Sequence, residues 1–431
     1  MKYSSLDFGR FDVVVCGGGS AGIAAACSAA RAGASTLLLE RYGFCGGVVT
    51  AAMIHTLDAI KSCRDYGSDV VGGFASELIE EVRRLGGLAI DDNPGEALTV
   101  HPEVYKVAID RLLARYGVTT LYHAHVCGSI VEGNRVVGVE AALRDGRARI
   151  YAGVVIDCTG DAEVVFYSDA GWTLDPELQP LTYHFRLGNL LGKLTWTEWE
   201  TVMGRALNAA HADGEIGVFG GPWVIRLADG EISINSTRVY GNPVDPLGLS
   251  NVEQEGRAQM LQLWSVLRRR VPELAESYIL AGASQLHIRE SRKLQGEYVL
   301  TEEDIQSGAE FADSIALGAW PIDIHPTNGS VGVHPHKEDP PTPYEIPYRC
   351  LIPKRVDGLL VAGKAISTTH RAHGSTRVPG TSLATGQAAG IAAALAARAG
   401  ILPRRIDIRE LRATLQAQGA IVSYAEGMPR A

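Results

Sequence analysis

The sequence contains few cysteines, and none of them has the spacing typical of a metal site. There are 7 cysteines in 431 residues, an odd number, and no Cys-x-x-Cys pair occurs. Scattered cysteines in partly apolar segments argue against a disulfide framework, a zinc site or an iron–sulfur cluster. We therefore expect no bound metal and reduced thiols, which indicate a cytoplasmic location because disulfides are rare there.

Long apolar segments and an excess of positive charge are also missing. The longest largely apolar stretch, Ala388–Ala397, is too short to span a bilayer. The first ten residues are polar and do not resemble a signal peptide. A net charge of −9 leaves no basic stripe for a nucleic acid. We expect a soluble globular protein without membrane or nucleic-acid partners, long enough for two domains.

Near its N-terminus the chain contains a glycine-rich turn between a predicted strand and a predicted helix. The apolar segment Val13–Cys16 predicts the strand, and the Ala-rich segment Ile23–Ala32 predicts the helix. The glycines between them match Gly-x-Gly-x-x-Gly, which allows a tight turn, close approach of the backbone to a pyrophosphate, and close helix packing. The helix N-terminus adds N–H groups and a positive dipole end. The residues predicted to bind the pyrophosphate are Gly17, Gly19, Ser20, Ala21 and Gly22.

A second apolar strand, Thr36–Leu39, ends at Glu40, whose carboxylate can accept hydrogen bonds from a ribose. Because strand, turn, helix, strand and acid follow in the required order, the motif indicates a dinucleotide site rather than an ordinary glycine turn. The glycines alone do not distinguish NAD from FAD. Arg41, Gly46 and Gly47 follow the acid, and this second glycine pair suits a loop that folds back over a long cofactor.

With this loop, the chain resembles the FAD-dependent oxidoreductases of the glutathione-reductase-like superfamily. It is most similar to the branch that includes the flavin subunit of heterodisulfide reductase and pairs this N-terminus with a C-terminal Gly-Gln-Ala-Ala-Gly helix. Here that segment is Gly386–Gly390, in a helix predicted over Thr381–Arg398. The resemblance implies FAD, with a non-covalent complex favoured over a covalent one. It places the ADP half against the first glycines and Glu40, and Gly46–Gly47 near the pyrophosphate and ribityl chain.

The resemblance implies an α/β fold: a Rossmann-like FAD-binding domain of the glutathione-reductase type, with a parallel sheet and a β-meander, and an inserted α+β substrate domain. Polar residues 370–380 predict a loop before the last long helix, and the proline-rich residues 335–347 predict an extended connector. The predicted divisions are residues 1–170 (FAD-binding domain, first part), 171–345 (substrate domain), 346–400 (FAD-binding domain, second part) and 401–431 (C-terminal helical tail).

The resemblance also implies that segments later in the chain contact the cofactor. Val126 would offer its backbone to the adenine, although a core strand explains it equally well. A second group of small residues would border the flavin, where a helix N-terminus can stabilise the negative charge of the reduced ring. The alternative is that the Gly-Gln-Ala-Ala-Gly segment is only a packing face. The residues of this second group are Thr159, Gly160, Gly363, Gly380, Thr381 and Ser382.

Three residues are candidates for catalysis. His370 lies in the predicted loop before the flavin-facing helix, and His325 follows a carboxylate, Asp323; either could act as an acid or base near neutral pH, and either could be a structural imidazole. Arg289 and Arg292 could hold an anionic substrate or the pyrophosphate, or they could pair with Glu290 and Glu297 as structural salt bridges. For Arg289, we favour a structural salt bridge with Glu290 or Glu297.

Cys45 has two functional explanations, a redox thiol beside the flavin or a covalent flavin link. Glutathione-reductase-type enzymes use Cys-x-x-x-x-Cys in this region, and that pair is absent here. We therefore favour a structural thiol.

The sequence thus predicts an enzyme, an FAD-dependent dehydrogenase or reductase, that transfers a hydride between a small organic substrate and flavin N5. A single Gly-x-Gly-x-x-Gly argues against a second nucleotide domain for NAD(P)H, so the electron acceptor stays open. A homo-oligomer is compatible with the sequence. The alternative is an electron-transfer component resembling the flavin subunit of heterodisulfide reductase, although the clustered cysteines for its iron–sulfur centres are missing. A nucleic-acid modification factor is disfavoured by the acidic charge.

Overall fold

A computed structural model describes residues 8–62, 68–89, 97–327, 329, 331, 336–338, 340 and 342–424. The strands in chain order are β1 (Arg10–Cys16), β2 (Thr36–Leu39), β3 (Thr56–Asp58), β4 (Ala97–Thr99), β5 (Thr119–Leu121), β6 (His125–Glu132), β7 (Arg135–Leu143), β8 (Gly146–Asp157), β9 (Trp172–Thr173), β10 (Phe185–Gly188), β11 (Trp223–Ala228), β12 (Glu231–Asn235), β13 (Tyr278–Gly282), β14 (Lys293–Leu294), β15 (Ser314–Gly318), β16 (Ile322–Ile324), β17 (His336–Glu338), β18 (Tyr344–Pro347) and β19 (Leu359–Val361).

The α-helices are α1 (Ser20–Arg31), α2 (Phe74–Arg84), α3 (Pro102–Arg115), α4 (Glu163–Tyr167), α5 (Trp196–Ala212), α6 (Pro246–Arg270), α7 (Glu302–Ser307), α8 (His370–Thr376), α9 (Pro379–Ala399) and α10 (Ile408–Ala417). Among the described residues, none of these helices combines the length and the hydropathy that a membrane span requires.

The largest sheet joins a parallel sheet to an antiparallel meander through one long strand. The C-terminal half of β8 pairs in parallel with β1 and β19, and β2 and β5 extend the parallel part beyond β1. The N-terminal half of β8 pairs antiparallel with β7, which in turn pairs with β6. The central parallel strands β1, β2 and β19 and the parallel half of β8 are apolar because the sheet is covered there on both faces. The predicted α/β fold with a parallel sheet and a β-meander is confirmed.

A second, four-stranded antiparallel sheet has the order β11-β12-β10-β13. It packs on α5 and α6 around its own hydrophobic core. Strands β15 and β18, by contrast, share the core of α1 and α9. The division of the chain into the four predicted segments stays a prediction.

Helices α1 and α9 pack against each other at very short range. A Cβ atom at Gly386 would overlap the carbonyl of Ala21, and one at Gly390 would overlap the carbonyl of Ala25. The Gly-Gln-Ala-Ala-Gly segment is therefore a packing face. This packing brings the N-terminal ends of α1 and α9 to the same edge of the parallel sheet.

The predicted polar loop at 370–380 is wrong, because residues 370–376 form α8 and α9 already begins at Pro379. The Thr369 side chain caps α8 by accepting a hydrogen bond from the Ala372 amide, 3.3 Å away. Proline at the first position favours the start of α9. Part of the predicted connector, including Pro335, lies outside the described residues, and its end forms strand β18 paired with β15.

Candidate active site

One cleft lies where the carboxyl ends of the parallel strands meet the N-terminal ends of α1 and α9. It encloses about 960 Å³, a volume that includes the open space at its mouth. Twelve of the sixteen residues predicted to contact the cofactor line it: Gly17, Gly19, Ser20, Ala21, Glu40, Arg41, Gly47, Val126, Thr159, Gly160, Gly363 and Ser382.

The wall beside α1 is bare backbone. Gly17 has a φ of +97°, and a Cβ atom there would lie 2.5 Å from the carbonyl oxygen of Cys158. Gly19 and Gly47 face each other so closely that a Cβ atom on Gly47 would lie 2.7 Å from the Gly19 Cα. The Gly46 amide donates to the Gly18 carbonyl at 2.8 Å, which fixes the second glycine pair against the first. Such a wall, at a helix N-terminus, suits a pyrophosphate.

The carboxylate of Glu40 stands at the end of β2 and holds this turn in place. Its two oxygens accept hydrogen bonds from the Gly18 amide at 2.6 Å and the Tyr42 amide at 2.8 Å. Burial raises the pKa of Glu40, and these backbone donors oppose that shift. Each carboxylate oxygen has a further lone pair, so the side chain can still accept a ribose hydroxyl.

The opposite wall comes from the C-terminal part of the chain. Gly363 has a φ of +81°, its amide donates to the Thr385 hydroxyl at 3.2 Å, and a Cβ atom there would lie 2.9 Å from the Cβ of Ala21. Ser382, in the first turn of α9, also lines the cleft. The glycine turn and the start of α9, 360 residues apart in the chain, thus form one site.

Four of the predicted contact residues do not line the cleft. Gly22 and Gly46 shape the turn from behind, since a Cβ atom on Gly22 would overlap the Gly17 carbonyl. Gly380 packs against the backbone of Asp58, with its Cβ position 2.5 Å from the carbonyl oxygen. Thr381 is buried.

The described residues fit a dinucleotide, and comparison with known proteins identifies which one. The family model for FAD dependent oxidoreductases matches residues 12–415. The chain belongs to this family. FAD is therefore the cofactor, and the open backbone wall, the helix N-terminus and Glu40 are the groups that fit it.

Individual relatives are distant. The tRNA uridine 5-carboxymethylaminomethyl modification enzyme MnmG of Dichelobacter nodosus is 31% identical over 151 residues, which are 33% of this chain and 22% of that protein. The match thus spans only about a fifth of that relative.

A geranylgeranyl bacteriochlorophyll reductase-like protein from Thermoplasma acidophilum has a TM-score of 0.52 at 13% identity, covering 95% of this chain and 84% of that one. The myxobacterial halogenase CndH has a TM-score of 0.49 at 14% identity, covering 95% and 79%. The first of these likenesses supports the fold alone.

The three predicted catalytic residues are not among those that line the cleft. The Nδ1 atom of His370 lies 3.0 Å from Glu290, and that hydrogen bond raises the pKa of His370. His325 is buried and accepts a hydrogen bond from Arg238 at 2.9 Å. The guanidinium of Arg292 lies over the ring of Phe166, 4.3 Å from its centroid. As catalytic residues, all three stay predictions.

Behind the cleft, a buried lysine is surrounded by acidic groups. Lys293 is 1% exposed, donates to Glu290 at 2.6 Å and pairs with Asp175. His370 completes this lysine cluster, the group of Lys293, Glu290, Asp175 and His370. The last three have the spacing of metal ligands, but the ammonium of Lys293 contacts both carboxylates and offsets part of their charge.

The salt bridge expected for Arg289 is wrong. Glu290 is occupied by the lysine cluster, and Glu297 pairs with Arg404. Arg289 is 2% exposed and donates to the Pro180 carbonyl at 2.7 Å instead.

Sequence reasoning missed several side chains of the cleft. Lys364 donates to Asp161 at 3.1 Å, and although burial opposes the charged form of Asp161, Lys364 and Arg41 hold its pKa below the usual range. Lys364 directly follows Gly363, and Asp161 directly follows Gly160. Both glycines were predicted to contact the cofactor, so their neighbours could have been predicted as well. Arg377 had no such signal, because it follows a short helix that the sequence did not predict.

Cys45 does not line the cleft. Its thiol is buried, and burial raises its pKa. A protonated, enclosed thiol agrees with a structural role.

Proposed function

We propose that this FAD-dependent oxidoreductase is a dehydrogenase or reductase that transfers a hydride between a small organic substrate and its flavin. The observation that supports this is the single cleft shared by the glycine turn and the start of α9, with Arg377 on its wall. When bound, FAD supplies a two-electron carrier that accepts or donates hydride at N5.

The chain's own residues hold the cofactor and set its surroundings. The backbone at residues 17–21 and the dipole of α1 would receive the pyrophosphate, and Glu40 would accept the ribose hydroxyls. Gly363 and Ser382 bring backbone and the positive end of α9 to the same cleft. That end would stabilise negative charge on the reduced ring without a charged side chain.

The electron-transfer alternative has less support. The cysteines at the six described positions are free, and none belongs to the one described group of residues with metal-ligand spacing. Membership of the heterodisulfide reductase branch therefore stays a prediction from the sequence.

The test is anaerobic reduction of the purified holoprotein by a panel of hydroxy acids, amines and sugars, followed through flavin absorbance. We expect bleaching by at least one class and recovery with an electron acceptor. Stoichiometric iron and labile sulfide, without bleaching by any organic substrate, would support the electron-transfer role instead.

A further inference from the structure

Three arginine side chains are buried together beside the cleft. Arg289 is 2% exposed and Arg238 is 4% exposed, and the side chain of Arg377 is 7% exposed. Arg377 also lines the cleft itself. We refer to Arg238, Arg289 and Arg377 as the arginine cluster.

A continuous chain of contacts joins the three guanidinium groups. The hydroxyl of Thr182 accepts from Arg289 at 2.6 Å and from Arg238 at 3.2 Å. Arg238 donates to Nδ1 of His325 at 2.9 Å, so the proton of the neutral ring is on Nε2, 3.7 Å from Asp323. Asp323 in turn accepts from Arg377 at 3.1 Å.

The positive charge of this cluster is not balanced within the described part of the chain. Among the described residues, Asp323 is the one acidic group that contacts the cluster, against three guanidiniums that stay charged in proteins. The histidines around the cluster do not change its charge. Burial and the nearby arginines lower the pKa values of His287 and His325, so both rings are neutral. Burial lowers the pKa of Arg238 to about 10 and also lowers the pKa of Arg289, but an arginine guanidinium keeps its proton in proteins even when it is buried.

Several donors of the cluster are also without a hydrogen-bond partner among the described residues. These include Nε of Arg289 and Nε of Arg377, both buried. The Nδ1 atom of His287 is also buried and has no hydrogen-bond partner among the described residues. Buried charges and polar groups are normally paired, because an unpaired one loses its hydration without compensation. A buried cluster with excess positive charge and unused donors, next to a cleft, indicates an anionic ligand.

We propose that the arginine cluster binds a carboxylate of the substrate, so that the substrates are small carboxylic acids. The planar fork of arginine matches the two oxygens of a carboxylate. The ring of Trp223 lies against the Arg238 guanidinium, 5.1 Å from ring centroid to the guanidinium carbon, and holds it in place. The part of this protein that suits a phosphate, by contrast, is the backbone at residues 17–21, which offers amide groups rather than guanidiniums. The assignment rests on the proposed function, since it places the bound acid next to the flavin.

The test measures binding to the purified holoprotein by flavin difference absorbance and by the shift in thermal midpoint. The probes are succinate, its neutral isostere succinamide, and inorganic phosphate at equal ionic strength. We expect succinate to bind and stabilise the protein, succinamide to have no effect, and phosphate to bind at least about tenfold more weakly. Equal binding of succinate and succinamide, or tighter binding of phosphate, would overturn the assignment without any variant.

Variants then locate the site. Arg289→Met should lower succinate affinity about 100-fold, as loss of a buried charged partner does, and Arg289→Lys should give an intermediate loss because it keeps the charge but not the fork. The matched control is Arg186→Met, since Arg186 is 8% exposed but already donates to Glu231 at 2.6 Å. Unchanged succinate binding by Arg289→Met would contradict the proposal, whatever the control shows, and an equal loss in the control would contradict it too.

The outcome is separable from that of the proposed function. FAD content is measured in every sample, and the thermal shift can be recorded without flavin. Protein that binds no FAD would refute the flavin enzyme, while the succinate and succinamide shifts would still decide the anion site.

Discussion

The cofactor wall of the cleft and the arginine cluster beside it are built by different means. The wall consists of backbone from two glycine turns, residues 17–22 and 46–47, that lie close in sequence. The cluster consists of side chains brought together from three distant parts of the chain, with Thr182 joining Arg238 to Arg289. A backbone site needs glycine at fixed spacing and is visible in the sequence; a side-chain site of this kind needs only the fold. The cofactor was therefore predictable from the sequence, and the arginine cluster was not.

The largest expected effect is on the cofactor wall. In Gly19→Leu, the new Cβ atom would meet no protein atom closer than the Gly47 Cα at 3.7 Å, so the Cβ atom itself causes no clash, while the larger side chain would compete with the pyrophosphate for this wall. We expect FAD affinity to fall at least about 1,000-fold, equivalent to ~4 kcal/mol. Titration of apoprotein with FAD, followed by flavin fluorescence, measures it.

The control is Gly217→Leu, because Gly217 is exposed and its Cβ position has no neighbour within 4 Å. FAD retention by Gly19→Leu equal to that of the control would place the pyrophosphate elsewhere.

A second experiment compares two buried cations: Lys293, which contacts carboxylates, and Arg289, which contacts none among the described residues. Lys293→Met leaves Glu290 and Asp175 without their ammonium, and removal of one partner of a buried ion pair typically costs about 3–5 kcal/mol. Arg289→Met removes a cation that no carboxylate contacts among the described residues, so its effect on the free energy of unfolding should be smaller. Urea unfolding of both variants measures the difference. A larger loss in Arg289→Met would mean that the arginine cluster has a compensating group.

The same contrast explains what the sequence could and could not predict. Strand, turn and helix at residues 10–31 follow from local composition, and so does Glu40 at the end of β2. The arginine at position 377 carries no local signal, because α8 is a short helix formed from polar residues that are buried by the surrounding fold. Arg289 was expected to pair with its sequence neighbours, but the buried Lys293 and His370 already occupy Glu290.

A smaller effect is expected where a side chain rather than backbone completes the cofactor wall. In Glu40→Gln, only one end of the amide can accept a hydrogen bond, so either the Gly18 or the Tyr42 amide loses its acceptor. A lost buried bond costs about 1–3 kcal/mol, and we expect roughly a tenfold loss of FAD affinity. Glu303→Gln, at an exposed position, is the matched control. Wild-type affinity in Glu40→Gln would show that the carboxylate does not organise this turn.

The smallest effect concerns the pH dependence of FAD binding. Burial, with Asp161 next in effect, raises the pKa of Glu163, which lines the cleft, to about 7. The negative pyrophosphate would raise the pKa of Glu163 further, so binding takes up a proton, and FAD affinity should fall a few-fold as pH rises through about 7.

The folded apoprotein likewise binds more protons than the unfolded chain between the two pKa values of Glu163, so its stability should fall with rising pH in that window. Glu163→Gln should flatten both profiles, measured by FAD titration between pH 6 and pH 8 and by urea unfolding between about pH 5 and pH 8. A wild-type affinity that rises with pH over this range would mean that Glu163 does not face the bound phosphates, and the cofactor wall would then rest on backbone groups alone.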